Sequence, residues 1–417
     1  MSCTNSTPRP RPREGERGTI LVVTVLLVTL TIVIVADARH VARIEWEAAS
    51  NADTEFQLEK ALQGGYQIAE AYLRQDLQDS PDTDHKYEEW GNAEGIQKDM
   101  DPSQFGIDEY SQPTESASGE ERTNFPKIRI FIEDEERKWP LPLLRMGSES
   151  LKERRKEALA KLIEYYRANT QLQVDAGAAT QYADMIVNFV SREESDSSFE
   201  PTPRPSTKSG MLMSSTDLAL IKGIPEHLIY DTVDEDGNIA KGLMHFVTVW
   251  TDLVINVNTA DQAVLRAVMR PEDETVGADI WAKREEKGEE FLEYDREQRD
   301  RFGDDYRRNP DRQERSTTES EEEESTGYWS DIESIKDDVD TFTDRILNDV
   351  RLYLGVKSNV FSIWVEAELK GIKRRRRWVV RREGARFVPI ISEHVQYPFF
   401  RYLTEDEQQG SYERQDW

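Results

Sequence analysis

Hydrophobic positions run without a charge from residue 19 to residue 36, TILVVTVLLVTLTIVIVA. Eighteen residues of helix span about 27 Å, close to the thickness of a bilayer's hydrocarbon core. From Asp37 onward the pattern changes to a stripe. Val41, Ile44, Ala48, Ala52, Phe56, Leu62, Tyr66, Ala69 and Leu73 recur at three- or four-residue intervals, or twice that, along one helix face. No proline intervenes before Pro81, and Ser80-Pro81-Asp82 supplies a stop. The pattern predicts one helix over 19–78, about 90 Å long, with its first part in lipid and the rest packed on a soluble domain. Gly64-Gly65 interrupts it at about 1 kcal/mol per glycine relative to alanine, which points to close approach of another element.

Beyond the helix, residues 79–126 are polar and turn-rich and read as surface connection. KIRIFI at 127–132 alternates charged and apolar side chains, the pattern of a half-buried strand, and leads into the acidic segment IEDEERKWPL. Amphipathic helices are expected over 151–167 and 178–190, then an exposed proline-rich loop at 201–210. SSTDLALIKGI at 214–224 predicts a serine-capped helix closed by Gly223. Residues 248–257 read as extended, followed by a short helix over 262–269. Phe361, Ile363, Val365, Ala367 and Leu369 share one strand face, Gly371 turns the chain, and 378–380 return. Residues 271–326 hold 21 acidic and 10 basic side chains and read as a solvated helix or a disordered insert.

Charge narrows the partners. The net charge of −28 argues against nucleic acid as the main partner. Residues 1–18 carry Arg9, Arg11, Arg13 and Arg17 against two glutamates, so this leader is expected to stay cytoplasmic. No small-residue cleavage site follows the apolar run; Gly18 precedes it instead. The single cysteine, Cys3, lies in the leader, so a chain cut at Gly18 has no thiol to oxidise, ligate or react. The five histidines show no metal-ligand spacing, and no nucleophile triad, P-loop or dinucleotide fingerprint is present. Catalysis is not expected.

Leader, Gly18 and an uninterrupted apolar helix resemble the type IV pilin and type II secretion pseudopilin class. DLALIKGIPEHLI followed by VINVNTADQAVLRAV, with IEDEERKWPL before them and SNVFSIWVEAELKG after, is similar to general secretion pathway protein K, the large minor pseudopilin. The resemblance implies an α+β fold: a pilin-like long N-terminal helix on a small antiparallel sheet, with a large mainly helical domain inserted. It implies a cleaved cytoplasmic leader 1–18, a transmembrane and assembly helix 19–36 and the soluble half of that helix, 37–78. The pilin-like domain occupies 79–145 and 327–400, the helical insert 146–270 and the acidic insert 271–326, with a tail 401–417. Prepilin peptidase would cut after Gly18 and the amine of Thr19 would be methylated. Val23, fifth after the cut, stands where most of the class has a glutamate that pairs with the neighbouring subunit's amine. The K-type subunit lacks that acid, as a chain at the filament tip would. The implied role is a minor pseudopilin that nucleates the pseudopilus tip and helps export folded proteins across the outer membrane. Implied partners are other minor pseudopilins, the peptidase, the inner-membrane secretion platform and the lipid bilayer, with the bulk of the chain periplasmic.

Other readings compete with this one. A minor pilin of a type IV pilus fits the same N-terminus. The L-x-x-I-x-G-I and N-x-N-T-A pattern also resembles helix-hairpin-helix modules of a competence-type DNA-binding membrane protein. Here, however, Pro225 removes a donor and Glu226 stands where a phosphate would approach. Calcium is open as a ligand: Asp231, Asp234, Glu235 and Asp236 cluster, yet Thr232 and Leu243 fail the EF-hand end positions, which favours a solvated turn. The basic run Lys373-Arg374-Arg375-Arg376-Arg377, with Arg381 and Arg382, reads as a solvated strand face or a contact with acidic subunits or headgroups.

Overall fold

The computed structural model describes residues 14–91, 96–99, 114–115, 121–122, 125–168, 170–190, 212–233, 239–302 and 327–395. Two units make up the chain, Met1–Lys60 and Ala61–Trp417. Helix α1, Glu14–Asp79, begins in the first and continues into the second. Most of the expected leader and Cys3 lie outside the described residues.

In the first unit every side chain from Leu21 to Val35 is exposed. Three threonines interrupt the apolar surface, and each turns its hydroxyl back onto the helix. Thr24 donates to the Leu21 carbonyl at 2.9 Å, Thr29 to Leu26 at 2.9 Å and Thr31 to Leu27 at 2.7 Å. A helix surrounded by hydrocarbon needs its polar groups satisfied from within, and these are. The expected stripe is corrected here, since Val41, Ile44 and Phe56 are exposed. Burial begins at Thr54 and Leu58; Phe56, two residues from Leu58, falls on the opposite face.

In the second unit the remainder of α1 lies on a five-stranded sheet formed by β1 (Ile96–Asp99), β2 (Lys127–Asp134), β3 (Val360–Leu369), β4 (Ile372–Glu383) and β5 (Arg386–His394). All neighbours are antiparallel, in the order β1-β2-β3-β4-β5, with Ile132 opposite Ile363 and Ile363 opposite Trp378. Lys370 and Gly371 both have positive φ, +53° and +79°, as a two-residue hairpin turn requires. Gly65 explains itself: a β-carbon there would meet Val365 Cγ1 at 2.5 Å. One residue on, Tyr66 packs its ring 5.2 Å from Trp378. Beyond the expected apolar face of Phe361, Ile363 and Val365, β3 buries its other face as well. Ser362, Trp364 and Glu366 are buried too.

On that second face Ser362 meets Glu135 and Arg377, Trp364 packs with Phe131 and Val395, and Glu366 pairs with Arg375; between β2 and β3 the chain makes a long excursion. It contains α2 (Glu149–Tyr165), α3 (Ala176–Val190), α4 (Glu226–Ile229), α5 (Gln262–Val268), α6 (Glu274–Phe302), α7 (Ile335–Asp338) and α8 (Asp344–Val350). They share one core built around Leu159, Ile186, Leu243, Leu265, Ile280 and Phe342. Two local expectations change. The helix at 214–224 is a 3-10 turn, Ser215–Leu220, held by a reciprocal Ser214–Asp217 capping box and ended by extended Ile221. The extended stretch 248–257 reduces to two-residue parallel pairings at its ends, with Leu253 at φ +71° between them. The acidic stretch is not a wholly solvated insert: α6 buries Val276, Ile280 and Arg284 against the core. Glu321 to Glu324 lie outside the described residues.

Candidate functional site

Two regions carry what the chain can do: the N-terminal helix and the polar seam that joins sheet to insert. The first holds Gly18, Thr19 and Val23. All three fall within α1, and Val23 is exposed on the apolar segment. Among the described residues this helix is the one long and apolar enough to cross a membrane. A span without any carboxylate from Thr19 to Ala36 pays no charge-burial cost in lipid.

The seam grows out of IEDEERKWPL. β2 ends in a 3-10 turn, Glu135–Arg137, capped by the Asp134 side chain on the Glu136 N–H at 2.7 Å. The turn drives four consecutive acids and two bases into the interior, where each exposes less than a tenth of its surface. Glu135 accepts from Lys138 at 2.9 Å, Arg377 at 2.8 Å and Thr248 at 2.6 Å, and from Ser362. Lys138 also reaches Glu133 at 3.0 Å, and Arg137 pairs with Asp261. Glu136 accepts the backbone N–H groups of Asp252 at 2.8 Å and Asn359 at 2.7 Å. Burial alone would push these acids up. For Glu133, Lys138 and then Arg137 override it and hold the carboxyl at about 2, whereas burial and neighbouring Asp134 push Glu136 up to about 8.

Arg377, with its side chain 3% exposed, completes the seam from β4. Its guanidinium lies 4.6 Å from the Trp250 ring and 4.5 Å from the Trp364 ring while it reaches Glu135. The basic run is thus not a uniform solvated face. Arg377 and Arg382 are buried, Lys373 and Arg375 pair with Glu366, and Arg376 lies over Trp378. The INVNTA segment is consumed in the same way. Asn256 donates to the Asp84 carbonyl at 2.9 Å and to Ser358 at 2.8 Å, Asn258 bonds Trp329 through both amide atoms, and Thr259 donates to Asp134. These side chains are internal, and Asp261 at the start of α5 pairs with Arg137. The Gly223 turn, at φ +100°, packs on the Met185 sulfur. The hairpin is a packing device.

Sequence reasoning passed over a second acidic group. Asp76 at the end of α1, Asp84 and Glu88 bring carboxylate oxygens within 4.8 Å of one another, the arrangement that could hold a metal ion. Arg382 reaches Asp76 at 3.0 Å and Asp84 at 2.9 Å, and the Trp90 indole donates to Glu88 at 2.6 Å. Burial and then Asp76 push Glu88 up to about 11; burial raises Asp84 to about 7 despite Arg382. Nothing in the spacing of 76, 84 and 88 announces the group, because Arg382 that gathers it comes three hundred residues later in the chain. Of the calcium candidates, 234–238 lie outside the described residues. Asp231 accepts from the Gly242 N–H at 2.7 Å and pairs with His245 at 2.8 Å.

No family model matches the chain, and no curated protein matches it by sequence. Among solved structures, a chain in the crystal structure of the GspK-GspI-GspJ complex of the enterotoxigenic Escherichia coli type 2 secretion system is similar. The TM-score is 0.50 at 14% identity, over 84% of this chain and 99% of that one. At that identity the likeness is one of fold: a long N-terminal helix, an antiparallel sheet and a helical excursion, the pilin-like α+β arrangement that the motifs imply.

Proposed function

We propose that this chain is a K-type minor pseudopilin of a type II secretion system, placed at the tip of the pseudopilus, where it nucleates assembly and supports export of folded proteins across the outer membrane. The observation that carries the reading is the fold likeness over 99% of a chain from the GspK-GspI-GspJ complex of a type 2 secretion system, joined here to an exposed apolar helix. Its work is structural, with no chemistry on a substrate. GspI- and GspJ-like minor pseudopilins are the partners it would dock, in an inner membrane whose periplasmic side holds residues 37–417. Prepilin peptidase would cut between Gly18 and Thr19, because cutting before the apolar run keeps the anchor on the mature chain.

Co-expression with the peptidase, followed by intact-mass analysis, tests the processing. The expected mature chain begins at methylated Thr19 and lacks Cys3. A stable full-length chain beside an active peptidase would remove the pilin-class reading. Crosslinking along α1 tests the partners and should capture other minor pseudopilins.

A further inference from the structure

We infer that a cavity in the helical insert is a binding site for a small monovalent anion of the halide kind. Trp139, Arg154, Arg155, Ala158, Val268 and Tyr353 line it, and its free volume of about 10 Å³ admits one sphere of water-like size. Four of these lining residues carry unpartnered donors. Trp139 Nε1, Arg154 Nη2, Arg155 Nε and Tyr353 Oη are all inaccessible, and none has a hydrogen-bond partner within the protein. Indole and guanidinium nitrogens can only donate, and the phenol can donate as well. A buried donor left without an acceptor is destabilising, so four of them on the residues lining one small cavity mark a site that expects an acceptor.

The charge points the same way. Arg155 is 9% exposed and spends Nη1 on two main-chain carbonyls, Leu143 at 2.9 Å and Met146. Among the described residues no carboxylate pairs with it. Arg154 has Asp349 at 3.9 Å, a carboxylate whose Oδ1 accepts from Arg270 at 2.6 Å and whose buried Oδ2 has no hydrogen-bond partner. Both guanidinium groups lie within 6 Å of the Tyr353 ring centre, at 5.9 Å and 5.5 Å. Arg155 is thus a buried cation with no carboxylate of its own, and the partly exposed Arg154 beside it shares Asp349 with Arg270, so the cavity carries an excess of positive charge that calls for a counter-charge. A water would answer two donors with its two lone pairs and leave the charge standing. A halide accepts from all four and neutralises it. The cavity joins Trp139, where the chain enters the insert, to α2 and to Tyr353, just before the chain leaves it, so a bound anion would tie the ends of the insert together.

Thermal unfolding of the full chain in detergent micelles, at fixed ionic strength, tests the site. Chloride or bromide in place of gluconate, which is too large to enter, should raise the midpoint by several degrees and saturate. Tyr353→Phe removes a single donor and keeps the ring; Arg154→Gln removes a partly exposed cation. Each should cut the halide-dependent rise by more than half while leaving the gluconate midpoint nearly unchanged. Bromide-soaked crystals should show an anomalous peak between Arg155 and Tyr353. No halide-dependent rise, a rise that survives both substitutions, or a cavity without anomalous signal would overturn the inference in favour of an ordinary water.

Discussion

Arg377 shows how much of this structure rests on single side chains. Its cation is buried between two indoles and paired with Glu135, which itself is 1% exposed. Removing one partner of such a pair leaves the other charge stranded, at a cost of about 3–5 kcal/mol. Arg377→Ala should therefore lower the denaturant midpoint sharply, and Arg377→Lys, which keeps charge but loses the fork and the flat stacking surface, should fall between. Equal loss in both would mean that the charge is incidental. Glu88 works in the opposite direction. Its carboxyl is raised from the ordinary value to about 11 in the native state, so the native protein holds a proton that the unfolded chain releases above about pH 4.5. Its contribution to stability is then lost progressively as pH rises. Glu88→Gln keeps a neutral donor there, and its melting temperature relative to the native chain should climb steadily from pH 5 to pH 9. Parallel curves would indicate a carboxylate already compensated, for instance by a divalent cation shared with Asp76 and Asp84.

At the scale of elements, α1 and the hairpin β3–β4 were legible because local physics dictates them. An unbroken apolar run, a three-to-four-residue stripe and a Lys-Gly turn between alternating strands leave few alternatives. The stripe was drawn too long because Val41 and Ile44 have the spacing of buried positions without being buried. β5 went unread since Pro389 argues against a strand, yet the residue sits at the bulge between Val379 and Val380, where an edge strand tolerates it. The seam was read only as an acidic segment because its counter-charges, Arg377 above all, arrive from the far end of the sequence. Gly65, by contrast, could be read as a close approach but not assigned a partner until Val365 was seen against it. Gly65→Ala should destabilise by about 1–3 kcal/mol through overpacking. Adding Val365→Ala should recover part of that loss, with the coupling measured in a double-mutant cycle. Additive losses would show that α1 does not bear on β3 at that point.

For the molecule as a whole, the segments divide between a hydrocarbon-compatible helix and a strongly acidic remainder. Residues 1–18 carry +2 of the net charge of −28, so a cut after Gly18 would leave −30. Such a chain is held from nucleic acid by its own field and is suited to contacts made by shape and by helix packing. Val23 supplies the argument for a terminal place. A carboxylate in lipid costs about 3 kcal/mol unless a neighbour's amine answers it, and a chain with no neighbour above it is better without one. A head of some 340 residues beyond α1 would also crowd a closely packed shaft. Purified pseudopili labelled with gold through an antibody to the head should carry label at one end only, at about one copy per filament, and should keep that pattern in Val23→Glu. Label at regular intervals along the filaments would contradict the tip assignment.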